Sequence, residues 1–215
     1  MLTIYGCYRS RASRNLWLAN ELGMEVRHVP VIQADRAKGP DGPLHSRSPE
    51  FLKVNPNGHI PSMTDGDLTL HESLAINLYM AKKQGGPLAP KDLAEDAEMT
   101  MWSIWAMTEV EPHSLQILYN MVAKPPEQRD AELARRSIEA LKAPFAVLDA
   151  ALAKTGHVVG GRFTVADLSL AEVVRYAMPA PELFEGAPRV KAWLQACHAR
   201  QGYKDMVAAR DKEPA

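Results

Sequence analysis

The 215-residue chain has only two cysteines, Cys7 and Cys197, far apart and outside any CxxC pair. That scarcity argues against a secreted disulfide scaffold and a two-cysteine redox centre, and makes reduced thiols the expectation. An excess of one charge sign is lacking too. The formal net charge is -1 with 24% charged residues, so no global field draws the protein toward nucleic acid or an anionic membrane. No apolar run reaches the roughly 18 residues a membrane span requires, and no basic start leads into one at the N-terminus. The seven histidines show neither HExxH nor paired metal spacing, which points away from metal catalysis. A P-loop, a GxGxxG turn and a GxSxG elbow are missing as well. Internal repeats and low-complexity segments are absent. Together these absences predict a soluble cytoplasmic protein whose partners are small molecules or protein, with no nucleic acid, membrane or metal. What is present is 46% hydrophobic residues, enough to fill one large core or two small ones.

The chain changes character along its length. Residues 1–82 alternate short apolar strands with helical stretches, residues 83–91 form a Gly/Pro-rich linker, and residues 92–215 carry helical spacing almost throughout. LTIY reads as a strand and SRASRNLWLANELG as a helix ending at Gly23, a residue that accepts the left-handed conformation. Ser13, ahead of the apolar run, reads as that helix's N-cap. EVRHVPV reads as a second strand, and Pro30, unable to donate to a ladder, places it at a sheet edge. A polar loop over 33–49 and a short helix near 49–53 follow. SMT and LTL flank Asp65-Gly66-Asp67, a strong hairpin signal because a tight two-residue turn needs positive φ. LAINLYMAKK closes this part as a helix, giving the α/β order β-α-β-α-β-β-α. The second part is all-α. Ile138, Leu141, Phe145, Leu148 and Leu152 form one apolar stripe, and Pro144 inside it demands a bend or two helices. Thr164 and Asp167 form a capping-box variant ahead of another apolar run. Val190, Trp193, Leu194 and Cys197 mark a further buried face.

Three stretches need more than packing to explain them: NPNGHIP (55–61), LHESLAI (70–76) and GGRFTVAD (160–167). Taken singly, Pro61 is a strand-start proline and Ser73 a helix cap. In this order the three resemble the cytosolic glutathione transferase family, in its serine-type, bacterial-like form, over nearly the whole chain. NPNGHIP resembles the family's loop before a cis-proline, LHESLAI its Glu-Ser helix start, and GGRFTVAD the Gly-x-x-Thr-x-Ala-Asp element of its helical domain. The resemblance implies an N-terminal thioredoxin-like domain, a C-terminal all-helical domain, glutathione as co-substrate and a homodimer. It also implies a clamp. Ile60, before cis Pro61, pairs its backbone with the cysteinyl part of glutathione; Glu72 meets the ligand's ammonium and Ser73 its γ-glutamyl carboxylate, at a helix start that favours anions. By position His59 and His45 resemble the groups that hold the glycyl carboxylate, and Arg11 attracts the tripeptide's carboxylates. The family often has lysine where His59 stands.

In the same register Ser10 occupies the position that activates the glutathione sulfur, where bacterial cysteine-type members keep a cysteine. Tyr8 is the second candidate, whereas Tyr5, alternating with Ile4 in the strand, reads as structural. A free thiol of pKa about 8.5 is only a few per cent thiolate at pH 7, and lowering it two units requires about 2.7 kcal/mol. One hydrogen bond to a charged acceptor contributes about 1.5–3 kcal/mol and a helix N-terminus about 0.3–1, so a serine donor suffices. The thiolate then attacks a hydrophobic electrophile or a peroxide. Trp105 and Glu109, on a helix with Trp102, Met107 and His113, are candidates for the electrophile pocket, although core packing explains the tryptophans equally well. Two other readings stay open: a non-catalytic binding or regulatory module on the same fold, and thiol transfer through Cys7, which lies three residues before the expected position.

Overall fold

Strand β1 (Thr3–Tyr5) runs parallel to β2 (Arg27–Val29), and α1 (Ala12–Leu22) is the crossover that a parallel pair requires. This computed structural model describes residues 1–37 and 43–213. β2 stops one residue before Pro30 and lies at the sheet edge, as the missing N–H demands. Of the polar loop expected over 33–49, Ala34–Arg36 forms a 3-10 turn and residues 38–42 lie outside the described residues. After α2 (Pro49–Leu52), β3 (Ser62–Asp65) and β4 (Leu68–His71) make an antiparallel hairpin whose last pair is Asp65↔Leu68. Gly66-Asp67 is its two-residue loop, with Gly66 at φ +59°. The sheet order is β2-β1-β3-β4, followed by α3 (Ser73–Gln84). Asp65 accepts the Tyr79 hydroxyl at 2.7 Å and pairs with Lys83, fastening the hairpin to α3.

The all-helical unit, Pro87–Ala199, contains α4 (Leu93–Trp105), α5 (Glu111–Leu118), α6 (Ala131–Thr155), α7 (Val165–Val174), α8 (Pro181–Glu185) and α9 (Pro188–His198). A π turn over Ala106–Val110 joins α4 to α5, and a second follows over Tyr119–Ala123. The first ends just before Pro112, whose nitrogen has no proton for the i→i−4 ladder. α6 is one continuous helix through Pro144, so the alternative of two helices does not arise, and its Leu141, Phe145, Leu148 and Leu152 are buried. The capping box at α7 forms with both reciprocal bonds: Thr164 N–H donates to Asp167 at 3.0 Å while the Thr164 side chain receives the Asp167 N–H. The buried Asp167 carboxylate also accepts Trp193 Nε1 at 2.9 Å and the Val158 amide at 3.2 Å, so one side chain caps α7 and fixes α9 beside it.

The last helix, α10 (Gln201–Lys212), groups with the first unit, Met1–Gly86, although the sequence places it in the helical half. Its apolar signal is weak: among its twelve residues only Gly202 and Met206 are buried. It lies antiparallel to α1, with Arg200 paired to Glu21 at 2.7 Å, Asn20 donating to Gly202 O at 3.1 Å, and Tyr203 edge-on to Trp17 at 4.9 Å. No helix among the described residues is long and apolar enough to cross a membrane.

GGRFTVAD holds a second device. Arg162 grips both oxygens of Glu95, at 2.8 and 2.7 Å, and donates to Pro87 O and Ala89 O. Gly160 sits at φ +64°, a conformation that favours glycine, and a Cβ there would press on the Arg162 guanidinium, 2.2 Å from Nη1. The Arg162 hydrogen bonds, ahead of all other causes, hold the Glu95 carboxyl at about 2. A depressed carboxyl stabilises the fold fully above its unfolded value near 4.5, and that contribution is lost as pH falls from 4.5 toward 2. Glu95→Gln is therefore expected to lower urea stability at pH 7 by about 1–3 kcal/mol, the scale of a charged hydrogen bond. The gap to the parent should close by pH 2, and a gap that persists there contradicts the assignment.

Candidate active site

Chain reversal after β1 begins at Gly6, whose φ is +149° and whose Cβ, if it had one, would lie 2.6 Å from Ala12 Cβ. Only glycine lets the segment 7–11 close this tightly onto α1. The same missing Cβ would lie 3.6 Å from Ile60 Cβ and 3.7 Å from Pro61 Cα, so this turn and the Ile60-Pro61 step are neighbours. The Ile60-Pro61 bond is cis, as the resemblance implies. Ile60 is buried with Cys7, Val31 and Phe51, and Tyr5 packs on this cluster with its ring tilted 6.3 Å from Phe51, a structural role.

Helix α1 is entered through i→i−3 bonds, Ser13 N–H to Ser10 O and Arg14 N–H to Arg11 O. Ser13 is not the N-cap. It is fully buried inside the first turn, and Ser10, three residues earlier, supplies the capping oxygen by accepting the Ala12 amide at 3.1 Å. The Ser10 hydroxyl donates to Cys7 O at 2.7 Å. Tyr8 is half-buried with its ring edge-on to His28, and burial first, then Glu213, raises its phenol above the ordinary value. The Cys7 thiol is pushed up too, by burial and then by Glu213. Glu213 reaches this loop directly: its Oε1 accepts the Tyr8 amide at 2.7 Å and its Oε2 the Arg9 amide at 3.1 Å.

The Glu-Ser helix start is tied to α1. Arg14, fully buried, donates from Nη1 to Ser73 Oγ at 3.0 Å, and Asn15 donates to Ser73 O at 2.8 Å and to Asn77 Oδ1 at 2.7 Å. Ser73 Oγ accepts from a guanidinium, which fixes the serine at the head of α3 and uses only its acceptor capacity. Glu72 is exposed at φ +66°, the only non-glycine residue with positive φ among the described residues. Such a conformation costs on the order of 1–3 kcal/mol and persists where surrounding structure imposes it. Here the fastened Ser73 follows it and the β4 ladder precedes it.

The remaining candidates are more scattered. His59 is exposed, and its carbonyl accepts Asn55 Nδ2 at 2.8 Å. His45 is half-buried, bridges Ile32, and accepts the Arg47 amide through Nδ1 at 3.2 Å. Arg11 sits at the entry to α1. In the helical unit Trp105 is edge-on to Trp102 at 5.1 Å and lines an open groove of about 620 Å³ with Leu93, Ala97, Met101 and Ile104; Glu109 is exposed in the following π turn. Gly6, Arg14, Asn15 and Glu213 escaped sequence reasoning. A glycine between strand and helix was a visible signal for the first, whereas nothing local marked Glu213.

Residues 1–82 match the family described as glutathione S-transferase, N-terminal domain, and residues 130–196 match glutathione S-transferase, C-terminal domain. Glutathione S-transferase 3 of Zea mays is 31% identical over 217 residues, covering 97% of this chain and 94% of the relative. Glutathione S-transferase GstB of Escherichia coli is 33% identical over 210 residues, covering 96% and 98%. The theta class enzyme of Xanthomonas axonopodis pv. citri, solved with glutathione bound, is 28% identical with a TM-score of 0.80, covering 96% of each chain. With its cis Ile60-Pro61 step and its Glu72-Ser73 helix start in place, the chain belongs to the cytosolic glutathione transferase family of enzymes.

Proposed function

We propose that the protein binds glutathione between the Ile60-Pro61 step and the start of α3, and activates its thiol with Ser10 for attack on a hydrophobic electrophile or a peroxide. The observation that carries this reading is the Glu72-Ser73 corner, where a strained, exposed carboxylate stands beside a serine gripped from below by Arg14 and Asn15. Ser73 and the free amides at the head of α3 take the γ-glutamyl carboxylate, and Glu72 takes the ammonium. Ile60 offers its backbone to the cysteinyl unit. His59, His45 and Arg11 are assigned to the glycyl carboxylate.

Ser10 enters this scheme as a donor. Its proton exchanges the Cys7 carbonyl for the ligand sulfur, while its lone pair keeps the Ala12 amide, so the helix cap survives the exchange. Tyr8, kept neutral by burial, is the alternative donor. Thiol transfer through Cys7 is disfavoured by the burial that keeps that thiol protonated. Trp105 and Glu109 are assigned to the electrophile. The protein works as a soluble cytoplasmic homodimer. Leu93, Met101 and Ile104, which are 84%, 51% and 60% exposed along one side of α4, support that assembly, because an apolar stripe of this kind is uncommon on a lone protein.

Three outcomes are expected. Ser10→Ala should cut kcat/KM for conjugation of an aromatic halide by about 10- to 100-fold, the scale of a charged hydrogen bond, and move the acid limb of the pH profile upward. An unchanged limb would transfer the role to Tyr8. Glu72→Gln should weaken glutathione binding by about 1–3 kcal/mol in calorimetry, and an unaltered affinity would remove the clamp assignment. Ile104→Lys should shift the light-scattering mass from twice 23.7 kDa to a single copy; a parent protein that is already monomeric rejects the dimer.

A further inference from the structure

We propose that Glu213 is a positioning residue for the sulfur-activating loop, a carboxylate that straps α10 onto residues 8 and 9 and places a negative charge beside them. The proposal rests on the assignment of Ser10 and Tyr8 to the glutathione sulfur.

Geometry carries it. Consecutive backbone amides of Tyr8 and Arg9 each donate to a different oxygen of Glu213, at 2.7 and 3.1 Å, across more than 200 residues of sequence. A bidentate grip by two main-chain donors on one carboxylate is a charge-assisted interaction, roughly twice as strong as its neutral counterpart. These amides precede the first turn of α1, so no ladder partner exists for them within the helix. Their donor positions are the part of the loop that a ligand, a water or another side chain would otherwise satisfy. Here the chain supplies its own acceptor.

The strap is anchored at its far end as well. Arg200 pairs with Glu21, Asn20 donates to Gly202 O, and a Cβ on Gly202 would come within 2.8 Å of the Glu21 side chain. Met206 is buried between the two anchors. α10 is thus fixed near the C-terminal end of α1, and Glu213 closes the antiparallel pair at the other end, where Ser10 begins the helix. The placement gives the carboxylate two effects. It holds the backbone of residues 8 and 9, and so the turn from which the Ser10 hydroxyl is presented. It also adds a negative charge, opposing ionisation of the Tyr8 phenol and the Cys7 thiol. Arg36 acts on Cys7 in the opposite sense, while Arg210, on the same helix as Glu213, pairs with Asp211. A glutathione thiol at Ser10 would feel the same opposition.

The two effects separate in two variants of the full-length protein. Glu213→Gln keeps the length and one acceptor but removes the charge; Glu213→Ala removes both. Amide hydrogen exchange at Tyr8 and Arg9 should accelerate at least tenfold in Glu213→Ala and less in Glu213→Gln, with the β1 and β3 amides unchanged. In both variants the acid limb of the kcat/KM profile for glutathione conjugation should move down by about half a pH unit, the order of one partly screened charge. Only Glu213→Ala should also lose about three- to tenfold in kcat/KM at the plateau, with Glu213→Gln restoring most of it. Unchanged exchange at Tyr8 and Arg9 overturns the strap. Faster exchange with an unmoved pH limb in both variants overturns the link to the sulfur. If the parent protein neither binds nor turns over glutathione, the functional assignment fails and the link to catalysis with it, while exchange still decides whether the strap exists.

Discussion

Helix α1 is buried at eight consecutive positions, Ala12 to Ala19, so it is enclosed on every side rather than resting on one face. Two of those eight are Arg14 and Asn15, and a buried guanidinium or amide is tolerated only where partners meet it. The partners are at the start of α3. The need to satisfy polar groups inside α1 therefore decides where Ser73 sits, and the position of Ser73 decides how the chain turns at Glu72. From one enclosed helix follow the Gly6 reversal on its N-terminal side, the corner at α3 and the docking of α10.

The helical unit solves the same problem with acids. Asp167 is withdrawn from water and accepts from the α7 cap, the Val158 amide and Trp193, so the interaction that starts one helix also places another. Glu95 is held by an arginine fork that reaches two backbone carbonyls of the preceding segment. Each unit thus carries a buried or half-buried charge held in place by hydrogen bonds, a condition met by few alternative packings, which makes the arrangement specific.

Legibility in the sequence followed the range of the interactions. The Gly23 cap, the Asp-Gly hairpin, the edge position of the strand before Pro30 and the Thr164-Asp167 box are decided within four residues, and all were readable. Ser13 misled because both it and Ser10 precede the apolar run, and only the tight entry turn shows which oxygen reaches an unpaired amide. Pro144 left a bent helix and two helices open, and the outcome is one helix because four buried large side chains hold it across one missing ladder bond. α10 could not be assigned to its unit from a pattern with so little apolar signal. Arg14, Asn15 and Glu213 act across dozens to hundreds of residues, and their meaning lies in the partner rather than in the neighbouring sequence.

The π turn over Ala106–Val110 gives the rod from α4 into α5 a length rule. An i→i+5 turn encloses one residue more than an α-helical turn, so the wide turn takes up that residue and the side chains beyond it keep the faces of a continuous helix. Deleting one residue within it would let the ladder close as α-helix with the faces on either side kept, whereas a deletion at the start of α5, where no wide turn absorbs it, would rotate the following side chains by about 100°. In that second case Ser114 and Ile117, now fully buried, would swing away from the core, and half-buried neighbours would replace them. One-residue length variation is therefore expected at the π turn and not inside α5, where the number of residues is constrained as tightly as their identity.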